Sequence, residues 1–100
     1  MAVTPLPDLI LYRRADCSLC DEAAAIARAL LEERAAAGLS APALVERDID
    51  TDAAWQRAYF ATIPVVELAG RHLETVTSMA KVRRLLREVF DDTPVASTAT

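Results

Sequence analysis

The chain has 100 residues, 53% of them hydrophobic and 26% charged, with a formal net charge of -4. That size suits one globular domain built on a single core and leaves no room for two. With 11 Lys and Arg against 15 Asp and Glu, no basic surface is available to neutralise phosphates, which argues against nucleic acid as a partner.

No stretch approaches the roughly 18 consecutive apolar residues of a membrane helix, so a membrane partner is not expected. The opening MAVTPLP lacks the charged segment and the apolar stretch of a secretory signal. The expected location is the cytoplasm. Thiols stay reduced there, and a close cysteine pair serves catalysis or metal binding more often than structural bridging.

Residues 1–7, with Pro5 and Pro7, read as an extended lead-in. Asp8–Arg13 then carries the bounded apolar run Leu9-Ile10-Leu11-Tyr12, the mark of a buried central strand. From Ser18 to Ala37 the pattern is helical. Leu19, Ala23, Ile26, Ala27 and Leu30 fall on one stripe, and Gly38 stands at the C-terminal cap. Ala43–Ile49 is the next strand candidate. Asp50-Thr51-Asp52 offers N-caps for a short helix, Ala53–Phe60, whose Trp55, Tyr59 and Phe60 are expected to pack it onto a sheet.

Pro64–Leu68, the turn Ala69-Gly70 and Arg71–Thr75 read as a hairpin. Thr77 or Ser78 caps a last helix, Met79–Phe90, with Val82, Leu85, Leu86 and Val89 along one stripe. Residues 91–100, DDTPVASTAT, read as a disordered tail. The element order is therefore β-α-β-α-β-β-α. Strands joined through a helix run parallel, and a hairpin runs antiparallel. The expected fold class is α/β, with a four-stranded mixed sheet and helices on both faces, as one domain over residues 8–90.

Cys17 and Cys20 are the only cysteines, and they stand where the first strand gives way to the first helix. Helix N-termini have unpaired N–H groups and the positive end of the dipole. A thiolate there is stabilised, so the Cys17 thiol is expected to ionise below the free value of about 8.5. Cys20 follows nearly one turn later, on the same face and deeper. That asymmetry makes Cys17 the attacking thiol and Cys20 the one that resolves the mixed disulfide. Two core residues that merely lie close are the alternative. Asp16 opposes a second negative charge beside it, unless it turns away to cap the helix. Arg14, three residues before Cys17, is a candidate for holding a thiolate or a substrate carboxylate.

Thr62-Ile63-Pro64 opens the third strand, where a missing N–H is tolerated. X-Pro bonds adopt cis at modest cost, and residue types alone leave cis and trans both open. A cis bond beside the thiols leaves the Ile63 backbone groups free to pair with an extended substrate. His72 reads as an exposed strand residue, too far along the fold to act as a base for Cys17. Tyr12 reads as core.

LYRRADCSLCDEA, VERDIDTD and TIPVVELAG, in this order and spacing, resemble the glutaredoxin-like proteins of the thioredoxin superfamily. The resemblance runs over about residues 8–90, and is greatest to small bacterial members with a C-x-L-C-type motif. It implies the thioredoxin fold, Cys17 as nucleophile, Cys20 as resolving thiol and Pro64 as a cis-proline facing them. It also implies that Arg14, Thr62 and Ile63, with Pro64, contact the substrate. The chain departs from the glutaredoxin pattern in two places. Ser18-Leu19 replaces Pro-Tyr between the cysteines, and Glu74-Thr75-Val76-Thr77-Ser78 stands where a Gly-Gly pair and an acidic residue grip glutathione.

The expected function is a small thiol–disulfide oxidoreductase acting on protein or low-molecular-weight disulfides. It is expected as a monomer with no bound cofactor. Glutathione or a thioredoxin-type system is the candidate electron donor. Two rivals carry different chemistry. One is a metal or iron–sulfur carrier in which two chains each contribute Cys17; the other is a redox-inert binding module that keeps the fold.

Overall fold

Strand β1, Leu9–Arg13, lies between two neighbours and shows why its residues alternate. Leu9 and Leu11 point to one side, and Ile10 and Tyr12 to the other. The computed structural model describes residues 6–91. Most of the expected lead-in and all of the tail beyond Asp91 lie outside the described residues.

After β1 come α1 (Ser18–Ala36), β2 (Leu44–Asp48), a single 3-10 turn (Ile49–Thr51) and α2 (Ala53–Tyr59). The chain continues through β3 (Val65–Leu68), β4 (Arg71–Leu73) and α3 (Met79–Phe90). The sheet order is β2-β1-β3-β4. β1 and β2 are parallel, with Tyr12 opposite Arg47. β1 runs antiparallel to β3, with Tyr12 opposite Val65, and β3 to β4, with Glu67 opposite His72. This is the mixed four-stranded α/β architecture read from the sequence.

On one face, α1 and α3 cover Leu9 and Leu11 of β1 and Val66 and Leu68 of β3. Ala23, Ala24 and Ala27 let α1 approach closely, and Leu30, Val82, Leu85 and Leu86 complete this core. A buried leucine of this kind stabilises the fold by about 1.5–3 kcal/mol. On the opposite face Tyr12, Ile49 and Val65 form a smaller cluster under Trp55 and Tyr59 of α2. Phe60 does not join it; its side chain is 63% exposed. It lies one residue past α2, where the chain turns off the sheet, so it has nothing beneath it.

The caps follow local chemistry. The Asp52 carboxylate accepts the N–H groups of Ala54 and Trp55 at 2.9 and 3.1 Å, and the Ser78 hydroxyl accepts that of Lys81 at 3.2 Å. At the end of α1, Gly38 takes φ +75°, and the Leu39 N–H donates to the Arg34 carbonyl at 2.9 Å. The second hairpin arm is shorter than the pattern Arg71–Thr75 suggests. Thr75 adopts φ 48° and leaves the sheet, because its N–H is drawn to the carbonyl of Thr62 at 2.9 Å.

Candidate active site

Asp16, at φ 56°, turns the chain sharply between β1 and α1; aspartate tolerates this left-handed conformation better than most residues. Cys17 follows in extended conformation and is itself the N-cap of α1. Its carbonyl accepts the Asp21 N–H at 3.0 Å, and its Sγ accepts the Cys20 N–H at 3.1 Å. The reading in which Asp16 caps the helix is thus corrected. Asp16 is exposed and stands one residue too early, and sulfur occupies the position where a hydroxyl or carboxylate is usual.

Cys17 and Cys20 are joined as a disulfide, with their Cα atoms 5.1 Å apart. Cys20 is fully buried and Cys17 is half-buried. One sulfur can therefore meet a visitor while the other lies beneath it. Between them Leu19 is 42% exposed. It departs from the expected apolar stripe because only the later turns of α1 contribute residues to the core that it shares with the sheet.

The two arginines after β1 already have partners. Arg13 donates to Asp21 in the first turn of α1 at 2.6 Å and to Glu46 of β2 at 3.1 Å. It ties the thiol-bearing helix turn to the sheet. Arg14, the cation expected to meet substrate, forks onto Asp50 through Nε and Nη2, at 3.0 and 2.9 Å. That pairing holds the Asp50 carboxyl below its ordinary range.

The antiparallel register Tyr12–Val65 brings the start of β3 to the same end of the sheet as the C-terminus of β1. Thr62-Ile63-Pro64 therefore lies at the sheet end from which the chain runs on to Cys17. The Ile63–Pro64 peptide is cis, and Pro64 is buried. The segment is held from two sides. Thr62 and Ile63 both donate their N–H groups to the Tyr59 carbonyl, at 2.9 and 3.1 Å. From the other side, Thr75 and Val76 donate to the carbonyls of Thr62 and Pro64, each at 2.9 Å. The expectation that both Ile63 backbone groups stand free is corrected: its N–H is engaged within the last turn after α2.

Beneath this loop a polar row crosses the α2 face of the sheet. Arg47 donates to the Tyr12 hydroxyl at 2.9 Å, and that hydroxyl donates to Glu67 at 3.1 Å. His72 pairs with the same Glu67 oxygen at 3.2 Å and approaches the Tyr59 hydroxyl at 3.4 Å. The Tyr12 and Tyr59 rings stack at 4.2 Å. Burial, then the Glu67 carboxylate, pushes the Tyr12 pKa up to about 12. Among the described residues, no group of three or more His, Cys, Asp or Glu side chains is placed to hold a metal ion. None of the described helices is long and apolar enough to cross a membrane.

Sequence reading did not find Asp50, Tyr59, Thr75 or Val76 as parts of this site. The acidic run around Asp50 was legible only as capping, and the other three hold Thr62-Ile63-Pro64 through backbone atoms, which residue type does not reveal.

Residues 8–90 match the family model described as a glutaredoxin-like domain (DUF836). Solved structures similar to the chain include these two. An X-ray structure of the structural-genomics target XcR50 from X. campestris is 35% identical, with a TM-score of 0.62 over 78% of this chain and 93% of that one. A solution NMR structure of protein Ne2328 from Nitrosomonas europaea is 22% identical, with a TM-score of 0.63 over 85% of this chain and 96% of that one, and shows the shared fold. No curated protein matches the chain significantly.

Proposed function

The chain belongs to the glutaredoxin-like family, and from that premise we propose that it is a thiol–disulfide oxidoreductase working through Cys17 and Cys20. The observation that carries this reading is the pair itself: a bonded dithiol at a helix N-terminus, one sulfur half-buried and the other fully buried. In the reduced protein the Cys20 N–H and the helix dipole favour a thiolate at Cys17. That thiolate attacks a substrate disulfide, forms Cys17–S–S–R and releases the first substrate thiolate. Cys20 then loses its proton and attacks Cys17 Sγ, which expels the second thiolate and leaves Cys17–Cys20 oxidised. Two electrons pass from protein to substrate, and a low-molecular-weight thiol such as glutathione, or a thioredoxin-type protein, restores the dithiol. A reducing compartment such as the cytoplasm suits that cycle.

On this reading Thr62-Ile63-Pro64 is the docking edge for the substrate's main chain. Arg14 contributes at its rim, shared with Asp50. The test is a pair of variants. In Cys20→Ser a covalent mixed disulfide through Cys17 accumulates and is seen by intact mass. In Cys17→Ser disulfide reduction is lost. Unchanged turnover in Cys17→Ser overturns the reading.

A further inference from the structure

Charge is unevenly spread along this acidic chain. Between Arg71 and Glu88 stand five of its eleven Lys and Arg residues and two of its fifteen Asp and Glu. Three of those five cations converge on one place. Arg71 and Leu73, two apart on β4, face the side of the sheet that α3 covers, while His72 turns to Glu67 on the other. Lys81, Arg84, Leu85 and Glu88 stand at helical spacing on α3 and complete the walls of a groove of about 330 Å³.

The cations of this groove outnumber their counter-ions. Glu88 is its one carboxylate and is shared: Arg71 donates to one oxygen at 2.7 Å and Arg84 to the other at 2.8 Å. Lys81 has no ion-pair partner among the described residues. Arg83, by contrast, turns to Glu33 of α1 and is matched there. Leu73 and Leu85 give the groove an apolar floor. Beside it, β4 is the last strand of the sheet, so its outer edge is paired with no strand among the described residues. An open edge accepts an extended chain, and alternate side chains of that chain then lie over the groove. The Arg71 and Arg84 side chains are 54% and 73% exposed, so the groove lacks the buried donors that enclose a small anion.

We infer that the β4–α3 groove is an interaction surface for an acidic, extended segment of a partner protein, which adds to β4 with its carboxylates over Arg71, Lys81 and Arg84. The rest of the chain is net negative, so it repels such a partner elsewhere and turns it toward this face. The interaction is independent of the thiol chemistry, and its test needs no turnover.

The probe is a fluorescein-labelled, cysteine-free peptide that alternates glutamate with valine; the same peptide with glutamine for glutamate is the control. Anisotropy titrations use the full-length oxidised protein. The acidic peptide is expected to bind, less tightly as salt rises, and the glutamine peptide about tenfold more weakly. Lys81→Gln is expected to weaken binding about two- to fivefold, and Glu88→Gln, which releases two arginines, to tighten it by a similar factor. Arg57→Gln on α2 and Glu22→Gln on α1 make the same changes in net charge elsewhere. Both are expected to leave affinity unchanged at physiological salt, where the Debye length is about 8 Å. Amides within Arg71–Leu73 are expected to gain protection from hydrogen exchange on binding. No binding of the acidic peptide, equal effects of the remote variants, or binding without new protection in β4 overturns the inference. So does displacement of the peptide by inorganic phosphate beyond that by chloride at equal ionic strength, which marks a small-anion site.

Discussion

The Arg14 guanidinium meets the Asp50 carboxylate edge to edge, at 3.0 and 2.9 Å, across thirty-six residues of sequence. The cation nearest the thiols in sequence is thereby shared before any substrate arrives. Asp50→Asn releases that charge. For a disulfide bearing carboxylates, kcat/KM is expected to rise about two- to fivefold, and the gain to vanish at high salt. A neutral disulfide should show no change. Steady-state assays of both substrates at two ionic strengths check this.

Tyr12 is held neutral. Its pKa, raised to about 12 by burial first and by Glu67 next, lies above the unfolded value of about 10. The folded state therefore keeps the proton longer than the unfolded one. The stability this contributes is complete below about pH 10 and is lost as pH rises towards 12. Tyr12→Phe should be about 1 kcal/mol less stable at neutral pH, having lost the bonds to Glu67 and Arg47. Across the alkaline window its stability should fall less steeply than the wild type's. Denaturant titrations at a series of pH values compare the two.

At the far end of α1, Arg34 is only 5% exposed. It donates to both oxygens of Asp91, at 3.0 and 2.7 Å, and through Nε to the Ser40 carbonyl. Asp91 itself is exposed, so Arg34→Ala leaves its carboxylate to water, and the loss of the packed side chain and its charge-assisted hydrogen bonds should cost about 1.5–3 kcal/mol. Lysine cannot fork, so Arg34→Lys should recover only part of this. Arg34 holds the Asp91 carboxyl below its usual range. That contribution is complete above the unfolded value of about 4 and is lost as pH falls through the depressed value. The gap between wild type and Arg34→Ala should therefore narrow in acid, as measured by urea midpoints.

Ala69 occupies the left-handed region at φ 50°, followed by Gly70 at φ 81°. A two-residue hairpin turn with both φ values positive favours asparagine at its first position, and alanine there is strained by its Cβ. Ala69→Asn should stabilise the protein by about 0.5–1 kcal/mol. Thermal unfolding measures it, and no effect on disulfide reduction is expected.

What could be read from sequence was what local spacing controls. Cys17 and Cys20, three apart at a strand-to-helix junction, and the capping residues Asp52 and Ser78 were all within one window of neighbours. The alternation in Leu9–Tyr12 likewise marked a strand with two covered faces. The errors have a common physical origin. Helical spacing assigns Leu19 an angle around the α1 axis, but not whether anything packs against that first turn. Arg34 lies in an alanine-rich helix, and nothing near it signals a buried fork to Asp91, fifty-seven residues away. Arg14 and Asp50 were each assigned a separate task because only the folded chain brings them together. The use of the Ile63 N–H depended on how closely α2 runs into the loop, a geometric matter of a residue or two.

The helix that leads into the proposed docking edge buries none of its own residues completely, whereas the helix that carries the cysteines rests on the larger core. Warming should thus loosen the platform a visitor lies on before it disturbs the sulfurs. Close to its limit, the molecule would still hold a competent dithiol but grip its guest poorly, failing in recognition before it fails in chemistry.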